Sequence, residues 1–476
     1  MTPAANTDKP RPMLVSLFAT ALAADPAPRH ADPTFSWSLA YRARHEFRLN
    51  PSLEVEPTLE EGEPADLIFV GSRLRANFSL DSGHFRVATT IQDGRRFGTE
   101  ASTAADEATL DMHQGYLEVH DLAKGGFDAK IGRFELAWGS ERLIGPSPWT
   151  DVGRSFDGFR TQARFSKQLS LDVFGAWVRE RRTISVRDQV GNTVYDVTDG
   201  DGVLGTFAVW KPVEKHEIDL YVLGRFDGPT TTPRQLERLR RIASPGARAT
   251  GSIGGFEYSG EGSIQFGQAD GLCEDPCVIP TSDTNDHFAW AYATSVRYTI
   301  GVPWKPFLGL AADGASGDGD PNDGDSEEFD NFFPSNHGKY GAMDLIGWRN
   351  MSDEHATIGV SPLAGLVVSA DVHVLGLQQE AGTWWDAAGN RMDDGLYDLY
   401  YATSRSLGTE GDLGVVWRKP GTPIKASAGV SRFWPGPAAE ERKGPDPSWW
   451  GFLSVEVELG GSTASLAPVA PAPGPV

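Results

Sequence analysis

Strict period-two alternation recurs along most of this chain and restricts its fold more than any other feature. A strand points successive side chains to opposite faces. Phe35, Trp37, Leu39 and Tyr41 alternate with Ser36, Ser38, Ala40 and Arg42. Ile68, Val70, Leu74, Ala76, Phe78 and Leu80 alternate with Gly71, Arg73, Arg75, Asn77 and Ser79. Phe288, Trp290, Tyr292, Val296 and Tyr298 repeat the pattern against Ala289, Ala291, Ser295 and Arg297. One face of each segment is greasy and the other is wet, often with arginine. Helical periodicity is scarce. The best helical candidate, PRQLERLRR at 233–241, falls within a loop.

The alternation predicts strands near 34–48, 66–81, 84–92, 111–120, 127–137, 158–166, 169–180, 203–211, 216–226, 249–257, 260–267, 288–300, 304–312, 356–361, 365–377, 408–418, 424–433 and 449–459. Their connections alternate between short and long. Ser82-Gly83, Lys167-Gln168 and 362–365 are short, whereas 93–110, 138–157, 313–355 and 379–407 are long. A soluble sandwich has no reason to gather every long loop at one end. An outer-membrane barrel has short periplasmic turns, long extracellular loops and strands of about 10 residues. At about 25 residues per strand and connection, the mature chain yields about 18 strands, an even number that leaves both termini periplasmic. The predicted fold class is therefore an all-β transmembrane antiparallel barrel, wide enough for an aqueous channel.

The N-terminus agrees with export. Lys9 and Arg11 precede an apolar run from Met13 to Leu22, and Ala21-Leu22-Ala23 fits a small-residue cleavage site. The expected organisation is a signal peptide at 1–23, a barrel at 24–459 and a disordered Pro/Ala-rich tail at 460–476. The setting is the bacterial outer membrane, with its lipid and lipopolysaccharide as partners. In that oxidising compartment Cys273 and Cys277 read as a small-loop disulfide. A metal site would want more sulfur or histidine ligands. A formal net charge of -22 excludes nucleic acid as a partner through the overall field.

Energy sets which face is which. An arginine facing lipid near the bilayer midplane costs about 2–4 kcal/mol. Arg73 with Arg75, and Arg160 with Arg164, are thus expected to face the lumen. In IGRFELAWGSERLIG, residues 131–145, the same reasoning sends Phe134, Leu136 and Trp138 to lipid and Arg133 and Glu135 inward. Phe127, Ala129 and Ile131 have the opposite parity, so a bulge at Gly132 is expected to absorb the mismatch.

The candidate functional set is arginine-rich: Arg73, Arg75, Arg133, Arg160 and Arg164 on inward faces, with Arg142 and Arg154 in the adjoining loop. Guanidinium groups bind carboxylates and phosphates through paired hydrogen bonds. Glu135, Asp157, Glu410 and Asp412 could sit opposite and set up a transverse field. The set reads equally as a charged constriction that selects an anionic saccharide or other small anion and as ion pairs that brace the wall. In ASGDGDPNDGDSEEFDNFFP, 315–334, the carboxylates of Asp318, Asp320, Asp323 and Asp325 are hard oxygen ligands at close spacing. They read either as a calcium site or as a solvated acidic loop. Arg234, Arg238, Arg240, Arg241 and Arg248 read as a basic mouth or a contact with lipid phosphates. No G-x-S-x-G, H-E-x-x-H or P-loop occurs, so no catalytic residues are expected. His373, on the inward side of its strand, reads as a lumen hydrogen bonder. The rival readings are a barrel lipase or deacylase and a secreted glycan-binding β protein.

The stretches GRFELAWGSERLIGPSPWTDVGRSFDGFR (132–160), FDNFFPSNHGKYGAMDLIGWRNM (329–351), LGTEGDLGVVWR (407–418) and SRFWPG (431–436) resemble the alginate-export family of outer-membrane barrels. That resemblance implies an eighteen-stranded barrel that passes an anionic exopolysaccharide outward. It also implies an arginine-rich pore in which Arg133, Arg142, Arg154 and Arg160 take part. The tail after FLSVEVEL departs from barrels that end on an aromatic residue.

Overall fold

The computed structural model describes residues 33–51, 53, 66–98, 107–187, 193–227, 240–270, 284–320, 323–392 and 403–463. The expected signal segment, Cys273, Cys277, Arg234 and Arg238 lie outside these residues, as does the tail beyond Thr463.

The wall begins with β1 (Thr34–Leu49), β2 (Leu67–Ser82), β3 (Phe85–Phe97), β4 (Glu107–Asp121), β5 (Phe127–Phe134) and β6 (Phe156–Arg164). It continues with β7 (Leu169–Arg187), β8 (Thr193–Trp210), β9 (His216–Asp227), β10 (Arg240–Ile253), β11 (Phe256–Asp270), β12 (Thr284–Thr299) and β13 (Phe307–Ala315). After a two-residue strand β14 (Asp325–Ser326), it resumes with β15 (Met351–Leu363), β16 (Leu366–Gly376), β17 (Ser406–Arg418), β18 (Ile424–Pro435) and β19 (Ser448–Thr463). Leaving aside β14, which lies parallel to β12, eighteen strands pair antiparallel with their chain neighbours. β1 then pairs with β19 from Phe35↔Thr463 to Leu49↔Trp449 and closes the cylinder. Closure leaves no free sheet edge, which is what a spanning sheet requires in lipid.

The burial pattern is inside out. Leu110 is 77% exposed, Ile131 63%, Phe288 61% and Leu413 60%, while inward Arg44 is 2% exposed and Gln265 and Glu410 0%. Tryptophans stand near both ends of the outer surface: Trp37, Trp210, Trp304 and Trp417 by the short turns, Trp434 and Trp449 by the long connections. This aromatic girdle around an apolar band marks a membrane barrel. A secreted soluble protein could not leave so much contiguous apolar surface in water.

Several local expectations are corrected. The β10–β11 turn falls at Gly254-Gly255, so Tyr258 and Ser259 belong to β11. Gly254 has φ +61, the left-handed region a tight hairpin needs. Arg240 and Arg241 open β10 rather than ending a helix, since each pairs with a residue of β9. β19 runs to Thr463, four residues past the expected 459 boundary. No bulge interrupts β5, whose register with β6 is continuous from Phe127↔Ala163 to Phe134↔Phe156. Gly132 serves close packing instead, because a Cβ there would stand 2.4 Å from the carbonyl oxygen of Gly115.

Candidate functional site

The parity conflict around Gly132 has another solution. β5 ends at Phe134, and the chain then dives into the lumen. Phe134 and Leu136 are each 1% exposed and Trp138 8%, and all three belong to a buried cluster inside the barrel. Their expected contact with lipid is therefore overturned. Trp138 packs edge-on against Phe174 at 4.4 Å and lies against Phe207 at 5.0 Å, both on inward faces of the wall.

A second long connection, described over 316–320 and 323–350, folds in beside it. Phe329, Phe332, Phe333, Tyr340, Ile346 and Trp348 join the same cluster, together with the small inward residues Ala289, Ala291 and Ala293 of β12. The two connections pair through main chain: Phe333 N donates to Leu143 O at 2.9 Å, Gly145 N to Phe333 O at 2.9 Å and Ser335 N to Glu141 O at 2.9 Å. A third connection adds Leu377 and Trp384, whose Nε1 donates to Leu345 O at 2.8 Å. Leu53 of the β1–β2 connection and Ala438 and Ala439 of the β18–β19 connection complete the cluster, so the long-loop segments form a knot that narrows the lumen at its long-loop end. The clue in the sequence was aromatic density. A connection carrying Phe329, Phe332, Phe333, Tyr340 and Trp348 is too apolar to lie in water.

The inward arginines grip this knot. On β1, Arg42 donates to Pro148 O at 2.8 Å and Thr150 O at 2.9 Å, and to Asp151 Oδ1 at 2.9 Å. Arg44 hydrogen-bonds Trp149 O, lies 4.0 Å over the Trp149 ring and reaches Asp151 at 3.4 Å. On β2, Arg73 donates to Pro148 O and Thr150 O, both at 3.0 Å. Arg75 meets Glu135 at 3.0 Å, Gln92 at 2.6 Å and His113 at 2.9 Å. Arg73 and Arg75 therefore face inward as expected. Among the described residues, no carboxylate is in ion-pair contact with Arg73.

Arg133 and Asp157 depart from expectation. Continuous register puts Arg133 on the outward side with Ile131, and Asp157 on the outward side with Phe159. They join through two 2.8 Å hydrogen bonds at the long-loop end of β5 and β6. A paired, half-exposed position at the rim spares the lipid face an isolated charge. Glu135 does point into the lumen, though as the first residue of the inward connection. Arg160 faces the lumen and bonds Asp172 at 2.6 Å, and Arg164 faces it beside Asp128.

Arg142 and Arg154 sit inside the knot. Arg142 donates to the fully buried Asp313 at 3.0 Å. Burial opposes its charge, but Asp313 together with Tyr340 and Glu261 outweighs this and raises its pKa. Arg154 donates to Gly145 O at 3.1 Å and Pro334 O at 2.8 Å, and burial with Arg225 nearby pushes it down to about 10. Burial raises the Asp330 carboxyl, yet Arg225 at 2.8 Å and Arg240 at 3.2 Å hold it well below the usual range. Lys339 donates to Ser140 O at 2.8 Å across the two connections, and burial beside Arg142 pushes it down to about 7.

Glu410 and Asp412 do not lie bare across a pore. Glu410 accepts from Met343 N at 2.8 Å and Asp412 from Ala342 N at 3.3 Å, so both hold the second connection to β17. A Cβ on Gly341 would stand 2.6 Å from the Glu410 carboxyl carbon, and Gly341 has φ +98. Asp318, Asp320, Asp323 and Asp325 are not drawn together into one ligand set among the described residues. Asp318 accepts from Asp320 N and Asp323 from Asp325 N, at 3.1 and 2.9 Å, so they cap their own loop. Arg248 faces the lumen and pairs with Asp219 at 2.5 Å rather than marking a mouth. His373 is a lumen hydrogen bonder, as expected, 3.0 Å from Asp353.

Residues 34–447 match the protein family described as Alginate export. The fold is similar to solved outer-membrane proteins of Pseudomonas aeruginosa. OpdK is 12% identical with a TM-score of 0.52, covering 90% of this chain and 99% of its own. OccK8 (OprE) is 11% identical with a TM-score of 0.53, covering 90% and 98%. OprD is 12% identical with a TM-score of 0.51, covering 90% and 95%. No curated protein sequence matches the chain.

Proposed function

The chain belongs to the alginate-export family and is an outer-membrane channel, and from that premise we propose that it passes a small anionic solute, such as an acidic saccharide, selected by the arginines of one arc of its lumen. The observation that carries this reading is the basic arc itself. Arg42 and Arg73 are directly opposite one another across β1 and β2, with Arg44 and Arg75 beside them. Arg42, Arg44 and Arg75 each meet a carboxylate, at Asp151, Glu46 and Glu135, whereas Arg73 is met by carbonyl oxygens and by no carboxylate among the described residues. Arg160 and Arg164 face the same lumen from β6, separated from β2 by three strands, and each is paired with a carboxylate, Asp172 and Asp128. Arg42, Arg44 and Arg73 are buried beneath the knot and the Arg75 side chain is 13% exposed, so the arc acts on a carboxylate through its field, which is stronger in a low-dielectric cylinder than on an open surface.

The narrowing by the inward connections favours a solute of one or a few sugar units over a polymer. Transport is passive, because the chain offers no energy source. Planar-bilayer recording in a potassium chloride gradient tests the proposal. The wild-type reversal potential is expected on the chloride side of neutral, moving toward zero when Arg73 and Arg75 become glutamine. Arg133→Ala is expected to leave it unchanged. A cation-selective wild type, or a reversal potential insensitive to the double variant, refutes the selectivity.

A further inference from the structure

Beside the second inward connection, β15 and β16 bring three side chains together that the channel reading does not use. Asp353 and His355 project into the lumen from β15, and His373 is the register partner of His355 on β16. His355 Nδ1 is 3.0 Å from Asp353 Oδ2, and His373 Nδ1 is 3.0 Å from Asp353 Oδ1. The candidate ligand atoms all lie within 4.8 Å of one another, and the two rings are 4.5 Å apart. Both imidazoles thus spend the same ring nitrogen on one carboxylate that is 0% exposed.

Two nitrogens and a carboxylate oxygen around one point is the donor set of a zinc-type ion. At metal–ligand distances of about 2.0–2.2 Å, tetrahedral geometry spaces ligand atoms by about 3.3–3.6 Å. The two 3.0 Å contacts to Asp353 need a slight opening to reach that, and any separation nearer the 4.8 Å limit needs a closing of about an ångström. A carboxylate also stands behind one ring, as one commonly does behind a ligating imidazole: Asp412 Oδ2 lies 3.7 Å from His373 Nε2. The other oxygen of Asp412 is buried without a hydrogen-bond partner. Access exists as well, since the His355 side chain is 18% exposed to the lumen.

We propose that Asp353, His355 and His373 bind one divalent transition-metal ion of the zinc type on the lumen wall, with a further coordination position open to water. The site is coupled to the knot. Asp412 accepts from Ala342 N, and its neighbour Glu410 from Met343 N, so an ion that orders His373 also steadies the anchor of the second connection.

Cobalt titration of the full chain, refolded in detergent and stripped with chelator, tests this. The expected result is one cobalt per barrel, with visible absorption of four-coordinate intensity that one equivalent of zinc bleaches. His355→Ala is expected to lose the band and weaken binding at least tenfold. Asp318→Asn with Asp320→Asn is expected to change neither. Absence of the band in the wild type overturns the proposal and leaves two imidazoles hydrogen-bonded to a buried acid. An unchanged titration in His355→Ala, or loss of binding in the Asp318/Asp320 variant, overturns it too. Heat-modifiable migration confirms that each variant has folded, and the wild-type spectrum needs no variant.

Discussion

Removing the carboxylate of Asp151 should release the first inward connection. Three guanidiniums converge on it: Arg42 at 2.9 Å, Arg44 at 3.4 Å and Arg96 at 3.6 Å, and its side chain is 8% exposed. Breaking a buried charge pair by deleting one partner costs about 3–5 kcal/mol. The carbonyls of Pro148, Trp149 and Thr150 still satisfy Arg42 and Arg44, so the lower end applies, about 3 kcal/mol. At 1.4 kcal/mol per factor of ten, that shifts the balance between docked and undocked connection by roughly a hundredfold. Asp151→Ala should therefore insert normally yet conduct with larger or noisier steps in planar bilayers. A second route reaches the same segment by steric means. A Cβ at Gly71 would stand 2.7 Å from Asp151 Oδ1, so Gly71→Ala should push the carboxylate off the wall and give the same phenotype. Wild-type conductance and noise in both variants would refute the view that the arginine cluster is what holds the connection inward.

Further outcomes follow from the same geometry. Lys339 loses its proton near pH 7 when docked, whereas an exposed lysine holds it to about 10.4. Between those values the undocked form binds more protons, so rising pH favours the docked knot; conductance should fall from pH 7 to pH 10, and Lys339→Met should flatten that dependence. Trp384, fully buried and bonded to Leu345 O, should cost about 3–5 kcal/mol as alanine, read as faster proteolysis of 316–350 with the barrel intact. Leu413, 60% exposed on the outer face about midway along β17, should cost about 2–4 kcal/mol as arginine, measured by urea unfolding in lipid vesicles.

The barrel was legible in the chain because its causes are local and repeated. Alternation in segments such as 67–82 sets one wet and one greasy face. Short turns such as those expected at Ser82-Gly83 and Lys167-Gln168 alternate with long connections, and lipid penalises arginine on the greasy side whatever the neighbours are. From these the strand number, closure and inward direction of Arg73, Arg75, Arg160 and Arg164 follow. The knot was not legible in the same way. Phe134, Leu136 and Trp138 read as the outer face of a strand, yet they pack within the lumen, and Arg133 faces out. Period two separates apolar from polar positions, but hydrocarbon and a packed protein interior are equally apolar. Only the three-dimensional path of 135–155 and 316–350 decided between them. That path is set by contacts between residues more than a hundred positions apart, such as Arg42 with Asp151 and Leu143 with Phe333, which leave no periodic trace in the sequence.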